Sequence, residues 1–426
     1  MTSTGASISL VKDPGTRRLF AVSILARLPL ATFSIGVLVH AQHLTGSYAA
    51  AGVVSGALAI AQGLGGPVLG RLVDRSGQTA TLTASALVAA GSLVTLAIAP
   101  ADSPLGLLVL LAAMLGFATP PVGACLRTLL AVVVPGGTDL RAAYAVDAAA
   151  TELTWVAGPA LVLLAGTLWN SAVALAASGV VLASATLLFA ASPASRCWRP
   201  VRLGPGPRGG SLRSPGIQTL VLALVGVGVL FGATEVAVAA AADAVGQHAM
   251  AGLVLGLWGA GSFAGGVAAT RFGGGARSAR GLALLLAGLG VGHLALAPAS
   301  GDLVALSVVI VVAGSMIAPI LATAYAMVDT ATAAGTMTEA FTWLATASAI
   351  GTSLGAAAAG AIADTAGVPA AFIVAGLGGL LAALLTVSRR RTLAADPILP
   401  NTAVTTRSPR NPQRSTTQKG TPQWAQ

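Results

Sequence analysis

The sequence predicts an all-α integral membrane protein, with twelve transmembrane helices arranged as two related six-helix halves. Three observations carry that prediction. Of 426 residues, 55% are hydrophobic and only 8% charged, whereas a soluble globular protein is about a quarter charged. Apolar stretches long enough to cross a hydrocarbon core about 30 Å thick, which takes roughly 20 helical residues, recur along the whole chain. The second half of the chain also repeats the spacing of the first.

Breaking the chain at charges and turn residues gives segments at 18–41, 48–70, 79–99, 104–127, 143–168, 171–192, 216–241, 249–270, 281–298, 303–327, 338–361 and 369–388. Gly and Pro inside them do not argue against helix, because lipid forces backbone groups to pair internally and neighbouring helices repair local breaks. The first segment follows Lys12, Arg17 and Arg18 as a signal peptide would, but it contains Arg27 and precedes many equally long spans; it is retained as a helix. Residues 1–17 are a cytoplasmic N-terminus.

Charge placement tests the count. With both termini cytoplasmic, the external connections near 42–47, 100–103, 169–170, 242–248, 299–302 and 362–368 contain no Lys or Arg, and carry Asp102, Asp243, Asp302 and Asp364 instead. Basic residues then lie on the cytoplasmic side or within spans, as the positive-inside rule requires. An odd number of spans would scramble the pattern. Residues 193–215, with Arg196, Arg199, Arg202, Arg208 and Arg213 among Pro and Gly, form a basic linker between an N-terminal half, 18–192, and a C-terminal half, 216–388. The tail 389–426 opens with Arg389, Arg390 and Arg391, then turns to Pro, Thr, Ser, Gln and Arg. It has too little apolar surface to fold and is expected to be disordered.

Shifting by 200 residues pairs Gly46, Gly52, Gly56, Gly65, Gly66 and Arg71 with Gly246, Gly252, Gly256, Gly265, Gly266 and Arg271; shifting by 198 pairs Gly116 and Pro121 with Gly314 and Pro319. The motif Thr151-Glu152 with Trp155 recurs as Thr338-Glu339 with Trp343, one residue longer. The second segment thus matches the eighth, the fourth the tenth, and the fifth the eleventh. Gly52 with Gly56, and Gly252 with Gly256, have the small-xxx-small spacing of close helix contacts.

Between the second and third segments stands GRLVDRSGQTATL, Gly70 to Leu82, where Arg71, Asp74 and Arg75 form a polar island between apolar spans. Its Gly70, Leu72, Asp74, Arg75, Gly77 and Leu82 match the loop between helices 2 and 3 of the major facilitator superfamily of secondary transporters, which this sequence resembles over about 18–388. Gln78 and Thr79 depart from the Arg or Lys usual there. Gly158-Pro159, in WVAGPALVLLAG, partly resembles the Gly-Pro signature of proton-driven exporters in that superfamily, and a Gly-Pro step kinks a helix by removing an internal hydrogen bond. The resemblance implies that the halves rock about a central site and that Asp74 faces the N-terminus of the eleventh helix, where a helix dipole favours negative charge.

Ionisable side chains inside spans are costly, so each is a candidate for function. Arg27 and Glu235 lie in the first and seventh segments, which the resemblance places along the cavity. Glu235, flanked by apolar residues, is the leading candidate for proton coupling or cation recognition, and Gln62 is the main amide within the spans. Arg127, Asp147, Glu152, Asp329 and Glu339 sit at the cytoplasmic ends of the fourth, fifth, tenth and eleventh segments. With Asp74 and Arg75 they read as gate charges that pair in one state only. The alternative for each is plain interfacial solvation, or, for Arg27, a structural ion pair.

No phosphate-cradling GxxxxGK, no nucleophile with a paired His and no His-Cys cluster occurs, so neither an ATP-driven pump nor an enzyme is expected, nor a cofactor or metal. The net charge of +10 comes without interleaved aromatics, which points to phospholipid headgroups rather than nucleic acid. Two cysteines give no disulfide framework. The expected function is proton-coupled efflux of a small amphipathic or hydrophobic compound by a plasma-membrane antiporter, working as a monomer with substrate, protons and the bilayer as its partners. Spans nearly free of Asn and Gln argue against sugars. Proton-coupled uptake of a small metabolite is the alternative within transport; a transport-inactive sensor or scaffold that recruits partners through its tail is the alternative outside it.

Overall fold

The computed structural model describes residues 14–101, 103–134, 137–200, 210–248, 250–271 and 274–393. Lys12, Asp102, Arg202, Arg208 and the tail beyond Leu393 lie outside them, as do the side chains of Trp155 and Pro159. The described residues form twelve long helical segments. We number them α1 (Pro14–Thr45), α2 (Tyr48–Ser76), α3 (Gln78–Ala97), α4 (Leu105–Val133), α5 (Thr138–Leu168), α6 (Ser171–Ala190), α7 (Pro215–Ala244), α8 (Met250–Arg271), α9 (Ala279–Ala299), α10 (Leu303–Ala331), α11 (Met337–Ala366) and α12 (Val368–Ser388). Among the described residues eleven of these meet length and hydropathy criteria for a membrane span; α5, 31 residues long, occupies the remaining place in the order.

Local chemistry sets the ends. Ser47, Asn170, Ser192, Ser214, Ser278 and Asp302 each accept from a backbone N–H of the helix that follows, satisfying donors that a helix start leaves free. Pro29 removes a donor inside α1, and a 3-10 turn over Pro29–Ala31 divides that helix. The Pro120-Pro121 step similarly divides α4 between Phe117 and Val122.

Two expectations change here. The Gly70–Leu82 stretch is not a loop: α2 continues to Ser76, and the reversal into α3 is made at Gly77 alone, whose φ of +101° favours glycine. Charged residues end a span in lipid but not a helix. Around Gly158-Pro159, α5 runs unbroken. Gly158 serves close approach there, since a Cβ on it would lie 2.8 Å from Ala31 Cβ and 3.2 Å from Leu28 O at the break in α1.

Glycines also set how closely the helices pack. Where α7 crosses α11, a Cβ on Gly228 would lie 2.9 Å from Gly351 Cα, and Gly232 and Gly355 press on opposing backbone. Such approach is the main source of helix affinity in lipid, where apolar burial offers no gain. The pairs Gly52/Gly56 and Gly252/Gly256 do not pack this way: among the described residues nothing beyond the helix's own backbone lies within 4 Å of a Cβ on any of the four.

The two ends of the bundle differ in charge. Arg17, Arg18, Arg75, Arg196, Arg199, Arg271, Arg277, Arg280, Arg390 and Arg391 are exposed at one end, and Asp243, Asp302 and Asp364 at the other. If the basic end is cytoplasmic, Gly301→Cys and Thr365→Cys, at exposed positions, will react with an impermeant maleimide applied to intact cells. The exposed native Cys197 will react only after permeabilisation. Reaction of Cys197 in intact cells would invert the topology.

Candidate functional site

Deep in the first half, the carboxylate of Asp147 lies between two arginines. Arg27 Nη2 is 2.8 Å from Asp147 Oδ1, and Arg127 Nε donates to Asp147 Oδ2 at 2.7 Å; the three side chains are 7%, 8% and 0% exposed. Each comes from a different helix. The break at Pro29 ends the first part of α1 just beyond Arg27, and the Pro120-Pro121 break starts the second part of α4 just before Arg127. Gly123 makes room for both, because a Cβ there would lie 3.3 Å from Arg27 Cδ and 3.8 Å from Arg127 Nη2. Arg27 also donates to Thr151 Oγ1 at 2.7 Å and to Ser23 O at 3.2 Å, and Tyr144 Oη donates to Arg127 O at 3.3 Å.

Two guanidinium groups against one carboxylate leave one positive charge in excess. That excess meets the second half. The Arg127 guanidinium carbon is 3.9 Å from the ring centroid of Tyr325 on α10 and 5.9 Å from that of Phe341 on α11. The quadrupole of an aromatic face attracts a cation, the more so when desolvated. Tyr144 completes the cluster, with its ring 6.3 Å from Tyr325 and 6.1 Å from Phe341.

Nearer the basic end, the halves meet through α2 and α11. Asp74, buried, accepts from Thr338 N at 3.1 Å and Glu339 N at 2.8 Å, so a carboxylate sits on the unpaired donors and positive dipole end of α11. Arg71 grips Glu339 with two bonds, Nη2 to Oε1 at 2.7 Å and Nε to Oε2 at 3.2 Å. Thr128 and Thr338 share a hydroxyl contact of 3.0 Å. Thr346 Oγ1 donates to Gly63 O at 3.1 Å, and a Cβ on Gly70 would fall 2.5 Å from Thr342 Oγ1.

Several sequence-derived candidates stand elsewhere. Arg75 and Asp329 are exposed, and among the described residues neither makes an ion pair; the arginine that reaches α11 is Arg71, one helical turn earlier. Arg127 and Asp147 pair within one half rather than across the halves. Arg27 pairs with Asp147, the structural ion pair named as its alternative reading. Gln62 and Glu152 are half-buried, Glu235 is exposed, and among the described residues none of the three has a hydrogen-bonding or ionic partner for its side chain. Sequence reasoning named Arg71 and Thr338 without making either a site candidate, and passed over Tyr325 and Phe341. One signal was available: Tyr144 and Tyr325 are two of only three tyrosines in the chain.

No protein-family model matches the sequence, and neither does any curated relative. Solved structures do match. A bacterial homologue of the iron transporter ferroportin in an outward-facing state aligns with a TM-score of 0.71 at 15% identity, covering 88% of this chain and 98% of that one. The human organic anion transporter MFSD10 (TETRAN) aligns at 0.66 and 17%, covering 88% and 100%. The major facilitator superfamily proton:xylose symporter XylE, bound to 6-bromo-6-deoxy-D-glucose, aligns at 0.66 and 14%, covering 87% and 95%.

The chain has the major facilitator fold. In a major facilitator fold the halves are structural repeats and the binding region lies between them near mid-membrane. The contacts between α2 and α11 and the stacking of Arg127 on Tyr325 both cross that boundary.

Proposed function

We propose that the protein is a secondary active transporter that works by alternating access, exporting a small amphipathic or hydrophobic compound across the plasma membrane in exchange for protons. Its termini and basic end are cytoplasmic in this reading. The observation that carries it is the glycine face of α2. Gly52, Gly56, Gly63 and Gly70 are spaced by four and seven residues and so share one side of the helix. At the basic end that side is closed on Thr342 and Thr346 of α11, while among the described residues nothing beyond the helix's own backbone lies within 4 Å of a Cβ placed on Gly52 or Gly56. A face built for close contact, used along only part of its length, fits a protein whose halves rock between two closures.

The groups we assign to proton coupling are Glu152 and Glu235, two span carboxylates without a side-chain partner among the described residues. Glu152 is the better placed. It follows Thr151, which holds Arg27, so neutralising it changes the charge balance beside the Arg27–Asp147–Arg127 cluster. Glu235, further along α7 and exposed, offers a cation or proton a first contact. Gln62 supplies an unpaired amide on the α2 side. Solved proteins of this fold include an organic anion transporter, a homologue of an iron transporter and a proton:xylose symporter, so the fold by itself does not select a substrate class.

The test is proton release from proteoliposomes challenged with a panel of amphipathic compounds. Active compounds are expected to elicit release from the parent protein. Glu152→Gln should abolish proton-driven transport, a loss of at least tenfold, while keeping substrate exchange; Glu235→Gln should raise the concentration of substrate needed. Full proton-driven transport by both variants would remove coupling from these residues. Silence across the panel, with exchange also absent, would remove transport itself.

A further inference from the structure

Where the connection between the halves returns to the bundle, its last residues lie on the gate. A Cβ on Gly210 would collide with Arg71 Nη2, and would fall 2.5 Å from Glu339 Oε1 and 3.3 Å from Glu339 Cδ. Gly210 has φ −69° and ψ 171°, a backbone conformation open to any residue, so what glycine supplies there is space for the Arg71–Glu339 pair and not dihedral freedom. Ser211 is only 1% exposed. The Arg71 side chain remains 47% exposed while that of Glu339 is 2% exposed; Gly210 thus lies against both members of the ion pair, while Arg71 keeps nearly half of its surface open.

Among the described residues, the side-chain hydrogen bonds that fasten this segment go to the second half. Ser214 Oγ donates to Ala331 O at the end of α10 at 2.6 Å and caps α7 by accepting from Ile217 N at 3.4 Å. Gln218 Nε2 donates to Leu212 O at 2.9 Å, and Leu212 packs against the core. Arg71 belongs to the first half. It therefore enters a notch between Glu339 and Gly210, whose segment is bonded to the second half.

We infer that residues 210–214 are a fixed cover of the basic-end gate, and that Gly210 is a positioning residue that admits the Arg71 guanidinium to Glu339. The inference rests on the alternating-access reading for its consequence in transport, though not for its geometry. Removing water from one side of the carboxylate strengthens its attraction for Arg71, so the cover favours the state closed at the basic end. A side chain at 210 displaces the guanidinium and shifts the population toward the opposite state.

The experiment uses full-length protein with Cys125→Ala and Cys197→Ser, and Thr338→Cys as reporter at the buried contact between the halves. Labelling by an impermeant maleimide is followed in membrane vesicles with the basic end exposed, and size-exclusion chromatography checks the fold. Gly210→Leu is expected to raise the labelling rate at least about fivefold, the lower range of typical coupling between sites; Gly210→Ala should raise it less, and Arg199→Ala, at an exposed position elsewhere in the linker, not at all. In a Glu339→Gln background, where there is no ion pair to displace, Gly210→Leu should add nothing. If Gly210→Leu does not fold, Gly210→Ala against Glu339→Gln decides alone. Labelling unmoved by either Gly210 variant, or moved equally with and without Glu339, overturns the cover. Raised labelling in a protein that transports nothing would sustain the cover and refute the transporter reading; normal transport with unmoved labelling would do the reverse.

Discussion

Asp147→Asn is expected to be the most damaging single substitution in the first half, costing about 3–5 kcal/mol of stability, as removal of one partner from a buried ion pair does. The physical reason is the charge count. Arg27 and Arg127 are buried on either side of one carboxylate, and without it two like charges face each other in a medium that screens them poorly. The stacking of Arg127 on Tyr325 offsets only part of this, since a cation–π contact contributes about 2 kcal/mol when desolvated. Thermal unfolding in detergent should show a large drop in Tm together with reduced yield. Adding Arg27→Gln and Arg127→Gln to Asp147→Asn should restore part of the loss, because it removes the uncompensated charges. A Tm equal to that of the parent would mean the arginines find other partners and the cluster is not a unit.

On the transporter reading proposed above, Gly70→Val is expected to abolish transport while leaving the protein folded. A Cβ at position 70 would stand 2.5 Å from Thr342 Oγ1, 3.0 Å from Glu339 Cα and 3.1 Å from Thr338 O. The last two are backbone atoms and cannot move aside, so α2 and α11 must separate at the basic end. Asp74 then loses the N–H groups of Thr338 and Glu339, and Arg71 loses Glu339. The rest of the bundle does not depend on this contact, so the state open at the basic end stays available and the population moves to it. Oxidative cross-linking of Thr128→Cys with Thr338→Cys, at hydroxyls that lie 3.0 Å apart, should be fast in the parent and at least tenfold slower with Gly70→Val. Equal cross-linking rates would show that the helices accommodate the side chain without parting.

How much of this was legible in the sequence depends on the range of the physics involved. Membrane embedding, the twelve apolar segments and their repetition follow from composition and spacing, because lipid demands long apolar helices wherever the chain crosses it. The importance of the Gly70–Leu82 stretch was legible as well, since three charges between two spans have few structural reasons to be there. That α2 stays helical through it was not: apolarity marks where lipid ends, whereas a helix ends where its backbone bonds end, at Gly77.

Partner choice among the charges was decided only by the tertiary structure. Arg27, Arg127 and Asp147 come from three helices, and spacing along one helix carries no information about which faces of three will converge. Arg71 and Arg75 are one turn apart and look alike in sequence, yet the rotation of α2 against α11 gives Glu339 to the first and leaves the second exposed. The glycine stripe of α2 was visible as spacing, but whether it is occupied depends on how the halves are tilted, a property of the assembled bundle. Gly210 shows the same limit from the other side: in a linker rich in glycine it reads as a flexible residue, and only the position of an arginine from the first half, against a carboxylate from the second, makes it a place where a side chain would disturb an ion pair.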